Sequence, residues 1–307
     1  MDNQDQLARL VREVVAGVLA ERPDVGALAD VPTGAVPGGA VPGGAVPDGV
    51  PNSAVAADEA PDVTAVSTKD EFHVPDPADR EGYLAMKRAT VARLGVWRAG
   101  TRYNTWSMLH FRADHATAQD AVFTEVDPQL VADLGLVAGQ TMCASKDEFL
   151  TRPDLGRKLD DATRATFAAR LRTGAPVTIA VGDGLSSSAM VNVPDLLPAI
   201  VQGLAGLDVG PVAFVKHCRV GVMDELGPLL GTDVVCLLIG ERPGLATGES
   251  MSAYVAYRPS PERPESWRSV VSNIYRGGTP PAEAGAYVAS LIKRILDQKV
   301  SGVDLRP

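Results

Sequence analysis

Three short polar segments carry the residue types that could bind a ligand. Each follows a predicted buried strand: Gly182-Asp183-Gly184-Leu185-Ser186-Ser187, Lys216-His217-Cys218-Arg219-Val220 and Gly240-Glu241-Arg242-Pro243-Gly244. In an open α/β sheet, ligands bind in the crevice outside the carboxyl ends of the parallel strands. The pattern therefore predicts one crevice to which all three segments contribute. At its border Glu241 could accept hydrogen bonds from amide donors of a ligand, or it could pair with Arg242 or Arg219 at the surface.

The first segment nearly matches the glycine spacing of a dinucleotide-binding turn, with Ser187 in the last small position. Its glycines would allow a phosphate to approach the backbone, and a helix N-terminus would face that phosphate. Asp183 opposes this interpretation because it adds a negative charge to the turn, and Asp208 is only a loose candidate for a ribose-binding acid. A stand-alone, Rossmann-type nicotinamide-binding oxidoreductase is the alternative hypothesis. The simpler interpretation is a strand-to-helix turn in which Ser186 or Ser187 caps the helix.

The sequence lacks the residue patterns that are typical of a catalytic nucleophile or of a metal site. Ser186 stands in no Gly-x-Ser-x-Gly frame, and of the four histidines only His217 follows a predicted strand. His110 and His115 are five residues apart, which turns them away from a shared helical face. We therefore predict neither a catalytic triad nor a metal site.

The elements that must position these segments alternate along the C-terminal half. Continuous apolar runs predict buried strands, and amphipathic stretches predict helices. The predicted strands are Val177–Val181, Val212–Val215, Val234–Ile239, Tyr254–Tyr257 and Ser269–Ile274. The predicted helices are Tyr83–Leu94, Asn104–Thr117, Asp127–Leu136, Leu197–Leu204, Met223–Leu230 and Pro281–Lys299. This order predicts an α/β fold: a doubly wound, Rossmann-like, mostly parallel sheet preceded by a small helical N-terminal part.

The N-terminal segment has a different composition from the rest. One apolar stripe predicts an amphipathic helix over Leu7–Arg22, and an Ala-Val-Pro-Gly-Gly repeat follows it. Prolines every five residues forbid a helix, so this stretch is predicted to be a disordered linker. We therefore divide the chain into a docking or targeting helix (1–22), a Pro/Gly-rich linker (23–79), a helical part (80–150) and a Rossmann-like domain (151–307).

Charge and composition exclude several classes of protein. Residues 1–80 hold 14 acidic and 5 basic residues, whereas residues 81–307 hold 24 of each. A nucleic-acid binder needs a basic footprint, and this chain has none in bulk. It has neither an apolar run long enough for a membrane span nor a secretory signal. Three cysteines without Cys-x-x-Cys spacing predict no disulfide framework and a cytoplasmic location.

Eight stretches of the globular part identify a family. They are Arg93–Tyr103, Ala113–His115, Leu150–Arg157, Asp183–Ser186, Ile239–Leu245, Ser272–Ile274, Gly277–Pro281 and Gln298–Gly302. In this order, across residues 80–305, they resemble the small (light) subunit of ethanolamine ammonia-lyase.

The resemblance implies a hetero-oligomeric radical lyase. In that family a TIM-barrel large subunit holds the substrate, and adenosylcobalamin lies at the interface between the two subunits. Homolysis of the cobalt–carbon bond starts the conversion of ethanolamine to acetaldehyde and ammonia. The chain lacks Asp-x-His-x-x-Gly, which agrees with a base-on cofactor. The chemistry belongs to the cofactor, so the resemblance implies no catalytic residue on this chain.

The resemblance also implies three cofactor contacts. They are Val220, Glu241 and Val270, of which Val270 departs from the family pattern because relatives can carry Cys there. The helix of residues 1–22 is similar to peptides that load enzymes of this pathway into bacterial microcompartments. We therefore expect the shell to be a further partner of the chain.

Overall fold

A six-stranded β-sheet forms the centre of the structure, a computed structural model that describes residues 72–90 and 92–306. The strands are β1 (Arg98–Ala99), β2 (Arg102–Tyr103), β3 (Val137–Gln140), β4 (Val177–Gly182), β5 (Ala213–Lys216), β6 (Val234–Gly240), β7 (Met251–Tyr257) and β8 (Ser269–Ile274). β1 and β2 form a separate antiparallel hairpin, and the order in the main sheet is β3-β5-β4-β6-β7-β8. The predicted helix of residues 1–22 and most of the linker 23–79 lie outside the described residues.

The sheet is mixed: four of its six strands are parallel, which agrees with the predicted mostly parallel sheet, but the two antiparallel strands at one side do not belong to a Rossmann-like arrangement. β3, β5, β4 and β6 run parallel, but β7 and β8 are antiparallel to their neighbours. The physical reason lies in the connection between β6 and β7, which spans only residues 241–250 and contains no helix. A parallel return needs a crossover of a dozen or more residues, so a connection of this length leads to an antiparallel neighbour.

Helices cover both faces of this α/β sheet. They are α1 (Arg80–Arg88), α2 (Thr105–Phe123), α3 (Pro128–Asp133), α4 (Lys146–Thr151), α5 (Asp161–Arg170), α6 (Val193–Gly203), α7 (Met223–Leu230) and α8 (Pro281–Gln298). α6 and α8 pack on one face with Cys236 and Leu238, and α5 and α7 pack on the other with Val235 and Leu237. Alternate residues of β6 thus enter two cores, which explains its unbroken apolar sequence.

Apart from the short hairpin β1–β2, three elements were not predicted: β3, α4 and α5. β3 has only four residues and includes Gly139, which weakens a strand signal. Packing explains this glycine, because a Cβ there would lie 2.4 Å from Thr163 Cγ2 and 2.6 Å from Phe167 Cζ of α5. β3 pairs with β5, so the sheet draws on residues from both sides of the predicted boundary at 150.

The helical N-terminal part precedes the sheet. Asn104 caps α2, its side chain accepting a hydrogen bond from Ser107 N at 2.7 Å. The predicted helices here differ at their ends, since α1 stops at Arg88 and α2 continues to Phe123. Among the described residues, no helix is both long and apolar enough to cross a membrane.

Candidate functional site at the carboxyl edge of the sheet

The carboxyl ends of β3, β5, β4 and β6 meet at one edge of the sheet. We call the connections that follow them the carboxyl edge: residues 141–145, 217–222, 183–192 and 241–250. All three polar segments predicted to share a crevice lie there, so that prediction of their placement is confirmed. Because β5 and β6 flank β4, the segment after β4 lies between the other two.

Asp183 ties the β4 connection to the β5 connection. Its buried carboxylate accepts hydrogen bonds from His217 N and Cys218 N, each at 2.9 Å. Burial raises the pKa of Asp183, while the two backbone hydrogen bonds and the charge of Lys146 oppose this increase. The bonds hold His217 in the left-handed region at φ 56°, where non-glycine residues are uncommon. Asp183 is therefore a positioning residue of the edge.

The turn after β4 is filled by the protein itself. Gly184 has φ +61°, and a Cβ at this position would lie 2.1 Å from Gly240 O. Ser186 Oγ donates to Gly248 O, and Ser187 Oγ donates to Thr124 O at 2.6 Å. The prediction that Ser186 or Ser187 caps a helix is wrong, because both hydroxyls tie separate loops together. The glycine that looks like part of a phosphate-binding turn instead permits close packing on β6.

Val220 lies at the predicted edge. It begins a single 3₁₀ turn, Val220–Val222, and is half-buried against the core of the α5–α7 face. The connection is anchored because Arg219 N donates to Gly156 O at 2.8 Å. Val220 can therefore offer part of an apolar side chain to a ligand at a defined position.

Glu241 follows β6 and is held by three donors. Its carboxylate accepts from Ser250 Oγ at 2.7 Å, from Asn273 N at 3.0 Å and from Ser252 Oγ. Burial raises the pKa of Glu241, but these hydrogen bonds together outweigh burial and lower it below its usual value. The suggested pairing with Arg242 or Arg219 is absent from the ion pairs of the described residues. Glu241 thus stays ionised and connects the β6 connection to β7 and β8.

Val270 lies apart from the edge. It is 51% exposed on β8, opposite Tyr254, which in turn lies opposite Leu237 of β6. Leu237 precedes the last residue of β6 by three positions, so Val270 lies about 10 Å back along the strand direction at roughly 3.3 Å per residue. The structure brings Val220 and Glu241 to one edge and leaves Val270 on the outer strand.

Residue-level reasoning missed a polar group around Phe149. We call it the Phe149 cluster: Glu125, Lys146, Phe149, Lys216, His217 and Arg219. The fully buried Phe149 ring stacks on the His217 imidazole (5.7 Å between centroids, 18°), with Arg219 Cζ 4.3 Å and Lys146 Nζ 5.6 Å from its centroid. Lys216, His217 and Arg219 carried a signal in the sequence, as parts of the polar segment that follows a predicted strand. Lys146 and Glu125 come from elements distant in sequence.

The other histidines form no joint site. His110 is buried against Trp106, with ring centroids 4.7 Å apart, and His115 stacks on Phe111. Cys143, Cys218 and Cys236 are buried free thiols. Burial raises the pKa of Cys236 to about 12, so this thiol stays protonated and is a poor nucleophile.

Comparison with known proteins identifies the family of the chain. The family model of the ethanolamine ammonia-lyase light chain (EutC) matches residues 80–306. The ethanolamine ammonia-lyase small subunit of Listeria monocytogenes serovar 1/2a is 49% identical over 302 residues, 96% of this chain and 98% of its own length. That alignment therefore extends into the N-terminal segment.

Two further relatives with the same name agree. The Listeria innocua protein is 54% identical over 260 residues, 84% of this chain and 89% of its own length. The Clostridium perfringens protein is 53% identical over 258 residues, 83% of this chain and 88% of its own length. The resemblance inferred from sequence motifs is confirmed: the chain belongs to the ethanolamine ammonia-lyase small-subunit family.

Proposed function

We propose that this chain is the small subunit of an adenosylcobalamin-dependent ethanolamine ammonia-lyase. In this proposal its carboxyl edge holds the cofactor against a TIM-barrel large subunit. The observation that carries it is the position of Val220 and Glu241: these two of the three family contact positions follow β5 and β6 at the same edge of the sheet. The proposal further assigns the substrate ethanolamine and the products acetaldehyde and ammonia to the two-subunit enzyme.

The residues of the edge fit a large, mostly apolar ligand with polar substituents. Val220 is half-buried, and Met142 of the β3 connection is 50% exposed. Lys146 Nζ, His217 Nε2 and Arg219 Nε are out of contact with solvent and have no hydrogen-bond partner among the described residues. Unpaired buried polar atoms cost stability unless a ligand or water pairs with them. When bound, adenosylcobalamin would supply the radical chemistry that removes ammonia from ethanolamine.

This chain contributes binding and positioning in the proposed enzyme. Asp183 fixes the segment that presents Val220, and Glu241 holds the β6 connection through its three hydrogen bonds. These donors leave Glu241 with limited capacity for a ligand amide, since a carboxylate offers about four lone-pair sites. Val270, on the outer strand, would contact the cofactor from the face of β8. No residue here is assigned a proton-transfer role.

The N-terminal segment extends the proposal to location. We assign residues 1–22 to loading of the enzyme into a bacterial microcompartment inside the cytoplasm, on the basis of their apolar stripe and the linker that follows. These residues lie outside the described part of the chain. Docking of the same segment onto the large subunit is the competing assignment.

The alternative, a stand-alone nicotinamide-binding oxidoreductase, has weaker support. It requires an accessible turn after β4, but Gly184 packs on Gly240, and the hydroxyls of Ser186 and Ser187 are bonded to other loops. The alternative predicts that the purified chain alone binds a dinucleotide, which calorimetry with NAD and NADP would reveal.

Co-expression with a candidate large subunit tests the main proposal. We expect the two chains to co-purify and to release acetaldehyde from ethanolamine with adenosylcobalamin. Either chain alone should give no turnover. Full activity of the large subunit without this chain would overturn the proposal.

A further inference from the structure

We propose that Lys146, His217 and Glu125 of the Phe149 cluster form a subsite for a primary carboxamide at the carboxyl edge. This inference rests on the proposed function, since the corrin ring carries primary carboxamides around its periphery. It adds three residues to the assigned contacts and specifies the chemical group that they recognise.

The hydrogen-bond pattern of His217 determines what the subsite accepts. His217 is 2% exposed, and its Nδ1 lies 3.2 Å from Cys143 O. A carbonyl oxygen can only accept, so Nδ1 carries a proton, and Nε2 is an acceptor whenever the ring carries no second proton. His217 Nε2 has no hydrogen-bond partner among the described residues, and it lies 3.8 Å from Glu125 Oε1. Because both His217 Nε2 and Glu125 Oε1 are acceptors, a ligand group that donates two hydrogen bonds can pair with both of them.

Lys146 supplies the complementary donor. Its Nζ is out of contact with solvent and makes no hydrogen bond to any described residue. Burial lowers the pKa of Lys146, and the nearby carboxylates of Asp183 and Glu125 oppose this decrease. The ammonium group and the His217 imidazole both lie against the ring of Phe149, 5.6 Å and 5.7 Å from its centroid, and Lys146 is near enough to Glu125 to influence its pKa.

A primary carboxamide matches this set of unpaired atoms. Its NH₂ group offers two donors, one for His217 Nε2 and one for Glu125 Oε1, and its oxygen accepts from Lys146 Nζ. A carboxylate or phosphate would instead place negative charge against Glu125 and the lone pair of His217. The three residues of the subsite, two acceptors and one donor, therefore match a neutral amide, while Arg219 Nε, the other unpaired buried donor of the cluster, lies outside this set.

A ligand group can reach these atoms from the solvent side. Glu125 and Lys216 form an ion pair (2.8 Å) in front of them, with side chains 53% and 38% exposed. An exposed ion pair contributes little to stability, and Lys216 pairs with Oε2 of Glu125, so rotation of the Lys216 side chain alone would open the subsite and leave Glu125 Oε1 in place for the ligand. Val220 follows His217 by three residues, which places the subsite beside an assigned contact.

The test uses the complex with the large subunit and measures dissociation constants by absorbance titration. The probes are hydroxocobalamin and its monocarboxylates, in which one peripheral carboxamide is hydrolysed to an acid. We expect one monocarboxylate to bind the wild-type complex at least about tenfold more weakly than hydroxocobalamin, as the loss of a charge-assisted hydrogen bond implies.

Two variants link that difference to the subsite. His217→Asn keeps a donor for Cys143 O, tolerates the positive φ and removes Nε2; Lys146→Met keeps the apolar stem and removes Nζ. Each variant should weaken hydroxocobalamin binding about tenfold. Each should also reduce the ratio between the dissociation constants of that monocarboxylate and of hydroxocobalamin. Lys293→Met, on the exposed surface of α8, is the matched control and should change neither value.

The outcomes separate the two levels of the argument. If the wild-type complex does not bind hydroxocobalamin, the proposed function fails and the subsite with it. If the wild type binds hydroxocobalamin and both variants bind it as tightly as the wild type, the subsite is wrong and the proposed function stands. The same conclusion follows if the monocarboxylate loses as much affinity in the variants as in the wild type. A variant that alters only thermal stability counts against the subsite, because water alone would then pair with the buried atoms.

Discussion

At the scale of single residues, one carboxylate connects three parts of the carboxyl edge. Glu241 belongs to the β6 connection, Ser250 and Ser252 lie at the start of β7, and Asn273 lies near the end of β8. A residue chosen from its place after a strand is thus also a structural tie. Its role in ligand binding has to be separated experimentally from its role in holding the edge.

Substitution of Glu241 tests both roles. We expect Glu241→Ala to weaken cobalamin binding by the two-subunit complex about tenfold to hundredfold, corresponding to a lost charge-assisted hydrogen bond of about 1.5–3 kcal/mol. It should also lower the free energy of unfolding, because Asn273 N and two serine hydroxyls lose their acceptor. Glu249→Ala, an exposed carboxylate of the same connection, is the control. Equal affinities of Glu241→Ala and wild type would remove Glu241 from the site.

Glu241 should also make stability depend on pH in acid. Burial raises the pKa of Glu241, but the three hydrogen bonds together lower it by more than burial raises it. The net pKa lies below the usual 4.5. The contribution of Glu241 is therefore present above the unfolded-state pKa and is lost as pH falls through the lower folded-state pKa. We expect the free energy of unfolding, measured in urea from about pH 6 to pH 3, to fall more steeply for wild type than for Glu241→Gln. Equal slopes would contradict this prediction.

At the scale of elements, the close contact between the β4 turn and β6 shapes the edge. Gly184 sits against the backbone of Gly240, and Gly240 in turn sits against the carbonyl oxygens of Asp183 and Ser186. Such contacts require the absence of a Cβ on both sides. They leave the turn after β4 no space for a phosphate.

Two alanine substitutions separate backbone strain from packing. Gly174 and Gly184 both have positive φ, +68° and +61°, but a Cβ at Gly174 meets nothing within 4 Å. We expect Gly174→Ala to cost about 1–2 kcal/mol of unfolding free energy from the left-handed conformation alone. Gly184→Ala should cost about 1–3 kcal/mol more from overpacking against Gly240 O. Chemical denaturation measures the free energy of unfolding of both variants. Equal losses would contradict the prediction, because they would show that β6 adjusts to a Cβ at position 184 without loss of stability.

At the scale of the whole molecule, charge is divided between the N-terminal segment and the rest. Residues 1–80 carry the full net charge of −9, and residues 81–307 are balanced. This separation of charge is consistent with the proposed division of roles, in which the N-terminal segment acts on location and the remainder of the chain acts on the cofactor.

Deletion of residues 1–22 tests that division. We expect the truncated chain to retain acetaldehyde release with the large subunit, since the carboxyl edge is intact. Its encapsulation in a compartment-forming host should be lost, which fractionation of purified compartments measures. Unchanged loading would defeat the targeting assignment, whereas loss of co-purification with the large subunit would support docking instead.

The sequence by itself determined five of the six strands of the main sheet, most helices and the family. Val177–Val181, Val234–Ile239 and Ser269–Ile274 were readable because buried strands are continuous apolar runs, and β8 begins and ends where predicted. The rule that ligands bind at carboxyl strand ends then placed Val220 and Glu241 correctly at one edge. These are local signals, and they depend little on the rest of the fold.

Only the tertiary structure decided the strand directions and the side-chain partners. Strand direction depends on how the chain returns, so the antiparallel β7 and β8 were not visible in the apolar pattern. The hydroxyls of Ser186 and Ser187 found partners 62 and 63 residues away, and the Phe149 cluster joins residues from Glu125 to Arg219. Long-range contacts of this kind arise when separate elements pack together, and no local sequence pattern contains them.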